Sequence, residues 1–140
     1  MKVIHNSIIP FSGFAYMNLF GILFTRKTSL SMKRSTLNHE SIHTEQYKDL
    51  LYVFFLILYG IEWLIKIPFS WFYKQPNNYR KITNVAYRSI SFEQEAYYNQ
   101  YDFKYLENRK RFNWIKYIFT MYDPSKQKPL TENDDNIEVG

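Results

Sequence analysis

The sequence predicts an α+β domain, mostly helical, with two long helices and a small antiparallel β-sheet or hairpin near the N-terminus. Three observations carry this. Apolar residues recur at helical spacing from about residue 36 onwards, and a second such stripe runs from about residue 80 to 108. Residues 13–26 are instead rich in β-formers, interrupted by Asn18 and Gly21.

Composition narrows the function classes. At 140 residues the chain is one domain with room for a single hydrophobic core. It has no Cys, which excludes disulfides, thiolate metal sites and cysteine nucleophiles, so any metal must be held by His, Asp or Glu. That accords with the reducing cytoplasm, the expected location. Net charge is +5, yet residues 123–140 hold five acids against two lysines, so the excess positive charge belongs to residues 1–122. Such a body favours an anionic partner such as a lipid surface. No nucleic-acid-binding pattern accompanies the charge, and nucleic acid is not an expected partner.

Taken in order, residues 1–10 form an interrupted apolar stretch that does not read as a secretory signal. His5 within it reads as a surface or strand residue rather than a ligand. Residues 13–26 predict one or two strands with a bend or bulge, or a short hairpin. Residues 26–34 are polar and basic and predict a loop, delivering the chain to a first helix N-capped by Ser35 or Thr36. That helix sets Ser41, Thr44, Glu45 and Lys48 on a solvent side, with His39, His43, Gln46, Leu50, Phe54 and Ile57 on the other.

After Asp49 the division ends. Residues 50–61 carry no charge on any face, which places them in a core, a partner or lipid. The run is too short to span a bilayer, and extending it to Phe72 crosses Glu62, Lys66 and Pro68, so a spanning helix is disfavoured. Residues 63–73 mix large aromatics with lysine, as at a membrane interface. A packed helix or a homodimer face explains the pattern of residues 50–73 equally well, so membrane association stands beside a purely cytoplasmic location. Residues 75–78 predict a turn.

The second helix, over residues 80–108, lines Ile82, Val85, Ala86, Ser89, Glu93, Ala96 and Gln100 along one stripe. Lys81, Asn84, Arg88, Ser91, Glu95 and Asp102 fall mostly opposite, which puts Glu95 on the wet face. Residues 112–121 predict a terminal helix. Residues 123–140 predict a disordered acidic tail, leaving residues 1–122 as the folded domain.

The chemistry concentrates at His39-Glu40-Ser41-Ile42-His43, an H-E-x-x-H motif holding two of the chain's three histidines. On a helix the two imidazoles lie one turn apart on one face and suit a single Zn²⁺. Glu40 points elsewhere, towards the place of a general base for a metal-activated water. The stripe analysis supplies a third ligand: Glu93 faces inward, and a carboxylate facing a core must be paired or bound to a metal. His39, His43 and Glu93, with an open fourth position, make the ligand set of a catalytic zinc.

The H-E-S-I-H motif followed by Phe92-Glu93-Gln94-Glu95-Ala96-Tyr97 resembles the gluzincin zinc metallopeptidases, most nearly the small single-domain proteins called minigluzincins. The second motif is also similar to the E-x-x-A-D motif of integral-membrane gluzincins. The resemblance implies two zinc-bearing helices packed against a small antiparallel sheet, with Glu93 as third ligand. It implies an edge strand over residues 18–26 that holds the substrate backbone, with Asn18, Gly21 and Arg26 as strand candidates. The Asp that orients a ligand histidine in those relatives is replaced by Tyr97, which either accepts a hydrogen bond in its place or serves as an oxyanion donor. Arg88 is a further candidate for such a supporting role. The implied function is hydrolysis of peptide bonds in a peptide or protein substrate, with one Zn²⁺ per chain and Glu40 as general base. The alternative is a catalytically weak or inactive zinc-binding module acting in protein or membrane-surface interaction.

Overall fold

A two-residue turn at Phe20-Gly21 organises the N-terminal sheet. Both residues have positive φ, 55° and 78°, as a type I′ hairpin turn demands and as glycine adopts freely. In the computed structural model, which describes residues 1–10, 14–28, 30–72 and 82–139, this turn joins β2 (Met17–Leu19) to β3 (Ile22–Thr25). Strand β1 (Lys2–His5) pairs in parallel with the far side of β3, so the order is β1-β3-β2. His5 ends β1, exposed, with Nδ1 2.6 Å from the Lys27 carbonyl.

Two segments differ from expectation, and they differ together. The predicted loop at residues 26–34 contains β4 (Leu30–Lys33), and the predicted disordered tail supplies its antiparallel partner β5 (Asn136–Val139). Leu30 and Met32 alternate inward and join Leu23 and Val139 in one apolar cluster. Two of the tail's acids have partners beyond the tail: Glu132 pairs with Arg34 at 3.0 Å, and Asp134 bonds to Ser35. Asp134 accepts hydrogen bonds from the Ser35 amide and hydroxyl, each at 2.7 Å, so it caps α1 (Arg34–Asp49) where Ser35 or Thr36 was expected to do so. The folded domain therefore includes residues 123–139.

Helix α1 buries Ser35, His39, Ile42, His43, Gln46, Tyr47 and Asp49, a stripe of period 3.6. It ends where Leu51 and Tyr52 take left-handed backbone, φ 51° and 65°. Each such residue costs on the order of 1–2 kcal/mol. An aromatic core offsets this: Tyr47 and Phe55 have ring centroids 3.9 Å apart, and Phe92 packs at a tilt with its centroid 4.6 Å from both Phe55 and Trp114. The chain thus turns and begins a separate helix, α2 (Val53–Phe72), which runs on through Pro68.

The second predicted helix is likewise divided, into α3 (Ile82–Ser89), α4 (Ser91–Asn99) and α5 (Tyr105–Asn108). Ile90 is extended at ψ 134°, and Glu62 of α2 starts α4 by accepting from the Ser91 amide and hydroxyl, both at 2.7 Å. Val85, Ala86, Ser89, Glu93 and Ala96 are buried as the stripe predicts. Ser91 and Glu95 are buried too, because α4 packs between α1 and the 3₁₀ turn Asn113–Tyr117 and has no wet face. That turn replaces the terminal helix expected over residues 112–121, since Phe112 takes φ 60° just before it. The turn expected at residues 75–78 lies outside the described residues.

Candidate metal centre

Helix α1 presents His39 and His43 one turn apart, and α4 brings Glu93 across to them. His39 Nε2 and His43 Nε2 are 3.1 Å apart. Glu93 faces both nitrogens, one with each oxygen: its Oε2 is 3.2 Å from His39 Nε2 and its Oε1 3.3 Å from His43 Nε2. All three residues are buried, and their candidate ligand atoms lie within 4.8 Å of one another.

The hydrogen bonds behind this cluster fix what faces into it. Gln46 donates its amide to the Phe92 carbonyl at 3.0 Å and to Glu95 Oε2 at 2.7 Å. Its Oε1 therefore faces His43 Nδ1, 2.7 Å away, and that nitrogen must carry a proton. His39 Nδ1 lies 3.0 Å from Gln100 Oε1 and is oriented in the same way. Both Nε2 atoms are then left towards the carboxylate, and Glu93 Oε2 has no hydrogen-bond donor.

Three electron-rich groups this close and this dry need positive charge between them. Protons supply it in the bare chain. Burial works against the His43 imidazolium, but Glu93 outweighs it and pushes the ring up to about 9. Burial likewise opposes the Glu93 carboxylate, yet the two histidines hold it well below the usual carboxyl range. The same three residues are a group that could hold a metal ion. Bonds of about 2.0–2.1 Å to zinc imply ligand atoms about 3.3 Å apart; the two Nε2 atoms are 3.1 Å apart, and each faces a different Glu93 oxygen, at 3.2 and 3.3 Å.

Tyr59 of α2 donates to Glu93 Oε1 at 2.6 Å. Burial and the Glu93 charge raise its phenol far above the ordinary value, so it stays a donor. Glu40 stands at the mouth of the site, half-buried. It lines a cleft of about 560 Å³ together with Tyr16, Met17 and Asn18 beside β2, His43 and Glu93. Asn18 ties β2 to the motif by donating to the Glu40 carbonyl at 3.0 Å.

Of the strand candidates, Asn18 alone lines this cleft. Gly21 instead lets the hairpin turn approach α1: a Cβ there would meet Thr44 Cγ2 at 2.9 Å. Arg26 lies exposed beyond β3, a strand already paired on both sides, so the edge open to another chain is β2 and not the whole of residues 18–26.

Tyr97 does not take the place of the missing Asp. Its ring packs edge-on against His39 at 4.6 Å, and Arg88 stacks on its far side at 4.4 Å. The partner of His39 Nδ1 is Gln100, seven residues beyond Glu93 on the same stripe.

Glu95 is no solvated residue. Arg109 donates to Glu95 Oε1 at 2.6 Å and to Asp49 Oδ2 at 2.7 Å, and Tyr105 donates to Glu95 Oε1 at 2.7 Å. This dry network holds Gln46, and through it His43. Among the described residues, His39, His43 and Glu93 form the one group of metal-ligating side chains, and His5 lies apart from it. Comparison with protein-family models, with curated proteins and with solved structures finds no match.

Proposed function

We propose that this chain is a zinc-dependent metallopeptidase of the gluzincin type, with His39, His43 and Glu93 holding the metal and Glu40 acting as general base. The observation that carries the reading is the buried His39–His43–Glu93 cluster, in which each imidazole Nε2 lies within 3.3 Å of a Glu93 oxygen, with Glu40 beside it in a cleft that a strand edge borders. Zinc bound there supplies Lewis acidity that brings the pKa of a coordinated water towards neutrality.

The chain's own residues do the rest. The two histidines and Glu93 are positioned by Gln46, Gln100 and Tyr59, so the ligand set is preorganised. A substrate backbone lies along the edge of β2 away from β3, where the Asn18 carbonyl already accepts from the Tyr47 hydroxyl at 3.3 Å, and this sets its carbonyl near Glu40. The Glu40 carboxylate takes a proton from the attacking water and returns it to the leaving amine as the C–N bond breaks. Tyr16, Tyr59 and Tyr87 line the cleft and limit water around the reacting carbonyl.

The test is a peptide library incubated with the zinc-loaded chain and with Glu40→Gln. The variant should keep one zinc per chain and lose at least about a hundredfold in rate. Equal cleavage by both would overturn the assignment of Glu40.

One observation favours the weaker alternative. Both ligand imidazoles are oriented by neutral glutamine oxygens, whereas a carboxylate there would raise ligand basicity. Stoichiometric zinc with no turnover by either protein would assign the chain to a binding module.

A further inference from the structure

We propose that the outward face of α2, with the segment at residues 110–119, is a docking surface for an anionic bilayer, on which α2 lies in the plane of the interface. The inference stands apart from the zinc reading and begins with an anomaly of burial. Helix α2 has 20 residues and a mean hydropathy of 1.6, yet only 17% of its most apolar window is buried inside the body. A helix of that composition in a water-soluble core would be mostly covered. Here Leu64, Ile65 and Phe69 are exposed, and Trp71 and Phe72 are 73% and 84% exposed.

The two charges of α2 do not interrupt this face. Glu62 turns inward to cap α4 at Ser91. Lys66 turns inward to donate to the carbonyls of Ser89 and Thr120, each at 2.6 Å. The same bonds decide how the helix meets lipid. A spanning α2 would leave the body and strip both buried charges of their partners, whereas an in-plane α2 keeps them and wets only its bare side with acyl chains.

The neighbouring segment continues the surface. A mostly apolar cavity of about 600 Å³ lies between α2 and residues 114–121, lined by Leu58, Ile61, Ile65, Ile118 and Phe119, with the inward-turned Glu62 and Lys66 also on its wall. Phe119 is 97% exposed, and Phe112 and Ile115 are exposed beside it. Exposed Lys110, Arg111 and Lys116 are interleaved with these residues in sequence. Aromatic and basic residues alternating beside an apolar helix suit an anionic headgroup layer. The net charge of +5 has the matching sign. A second copy fits less well, because α2 has no outward carboxylate to meet the three cations.

Flotation of the full chain with lipid vesicles tests this. The protein should rise with vesicles of equal parts phosphatidylcholine and phosphatidylglycerol, and bind phosphatidylcholine alone far more weakly. Replacing Lys110 and Lys116 together by Glu, and leaving Arg111 because it lies 3.6 Å from Asp49 Oδ1, should weaken binding by at least roughly twentyfold, at about fivefold per basic residue lost. Leu64→Glu and Phe119→Glu should each weaken it about tenfold or more, with melting temperature unchanged because both side chains already face solvent. Bound protein should be released by alkaline carbonate. Resistance to that extraction would overturn the in-plane arrangement. Failure to bind either vesicle, or binding indifferent to all these changes, would overturn the surface itself. So would a soluble dimer that Leu64→Glu dissociates while no vesicle is bound, since the face would then belong to a second copy.

Discussion

His43 Nδ1 lies 2.7 Å from Gln46 Oε1, and the same glutamine donates to Glu95, so an imidazole of the candidate centre is tied to a carboxylate outside it. The tie predicts that Gln46 tunes zinc affinity without touching zinc. Gln46→Ala frees the His43 ring and should lower affinity about 10–100-fold. Competition with a chromophoric chelator measures it. Affinity unchanged in a folded variant would remove Gln46 from the site.

The two acids of α4 should fail in opposite ways. Glu93→Gln removes the ionised carboxylate proposed as third ligand and should abolish stoichiometric zinc while the chain still folds. Glu95→Ala leaves Arg109 and Asp49 in a dry network that has lost one of its two carboxylates. It should cost about 3–5 kcal/mol in stability. Denaturation curves and metal analysis on the pair separate the roles, and exchanged phenotypes would show them wrongly assigned.

The fate of these two residues shows what the sequence could and could not convey. Glu93 was legible because its stripe, with Val85, Ala86, Ser89 and Ala96, keeps helical phase across the break at Ile90. Glu95 was not, because opposite-face reasoning presumes a wet side, and α4 is enclosed by α1 and by residues 113–117. Gln100 stood on the legible stripe, but only the fold shows its amide turned to His39. Both helix breaks escaped for one reason: neither Leu51-Tyr52 nor Ile90 is glycine or proline. Their backbone is set by distant contacts, the Tyr47–Phe55–Phe92 cluster and the Glu62 cap.

The C-terminal segment was misread from composition, since acids that cap and pair look like acids that are solvated. Its structural role is testable at Asp134. Asp134→Ala should destabilise the chain by about 1 kcal/mol, up to about 2, through loss of the cap at Ser35. Asp135→Ala, at a side chain that is exposed, should stay within about 0.5 kcal/mol. Equal effects at the two positions would dissociate stability from the cap.

Glu62 predicts a pH dependence. Burial raises its carboxyl above the ordinary value of 4.5, and the Ser91 bonds and Lys66 offset that only in part. Between 4.5 and the raised value, the folded chain still holds a proton that the unfolded chain has released. Unfolding then releases that proton, so stability falls as pH climbs through that window and levels off above it. Lys66, pushed down by the same burial, acts at the alkaline end and not here. Glu62→Gln removes the titrating group while keeping an oxygen for the Ser91 amide. Urea midpoints measured from the ordinary carboxyl value up to neutrality should therefore decline less steeply for Glu62→Gln than for the parent chain. Parallel slopes would show that the Glu62 carboxyl titrates alike in the folded and unfolded states.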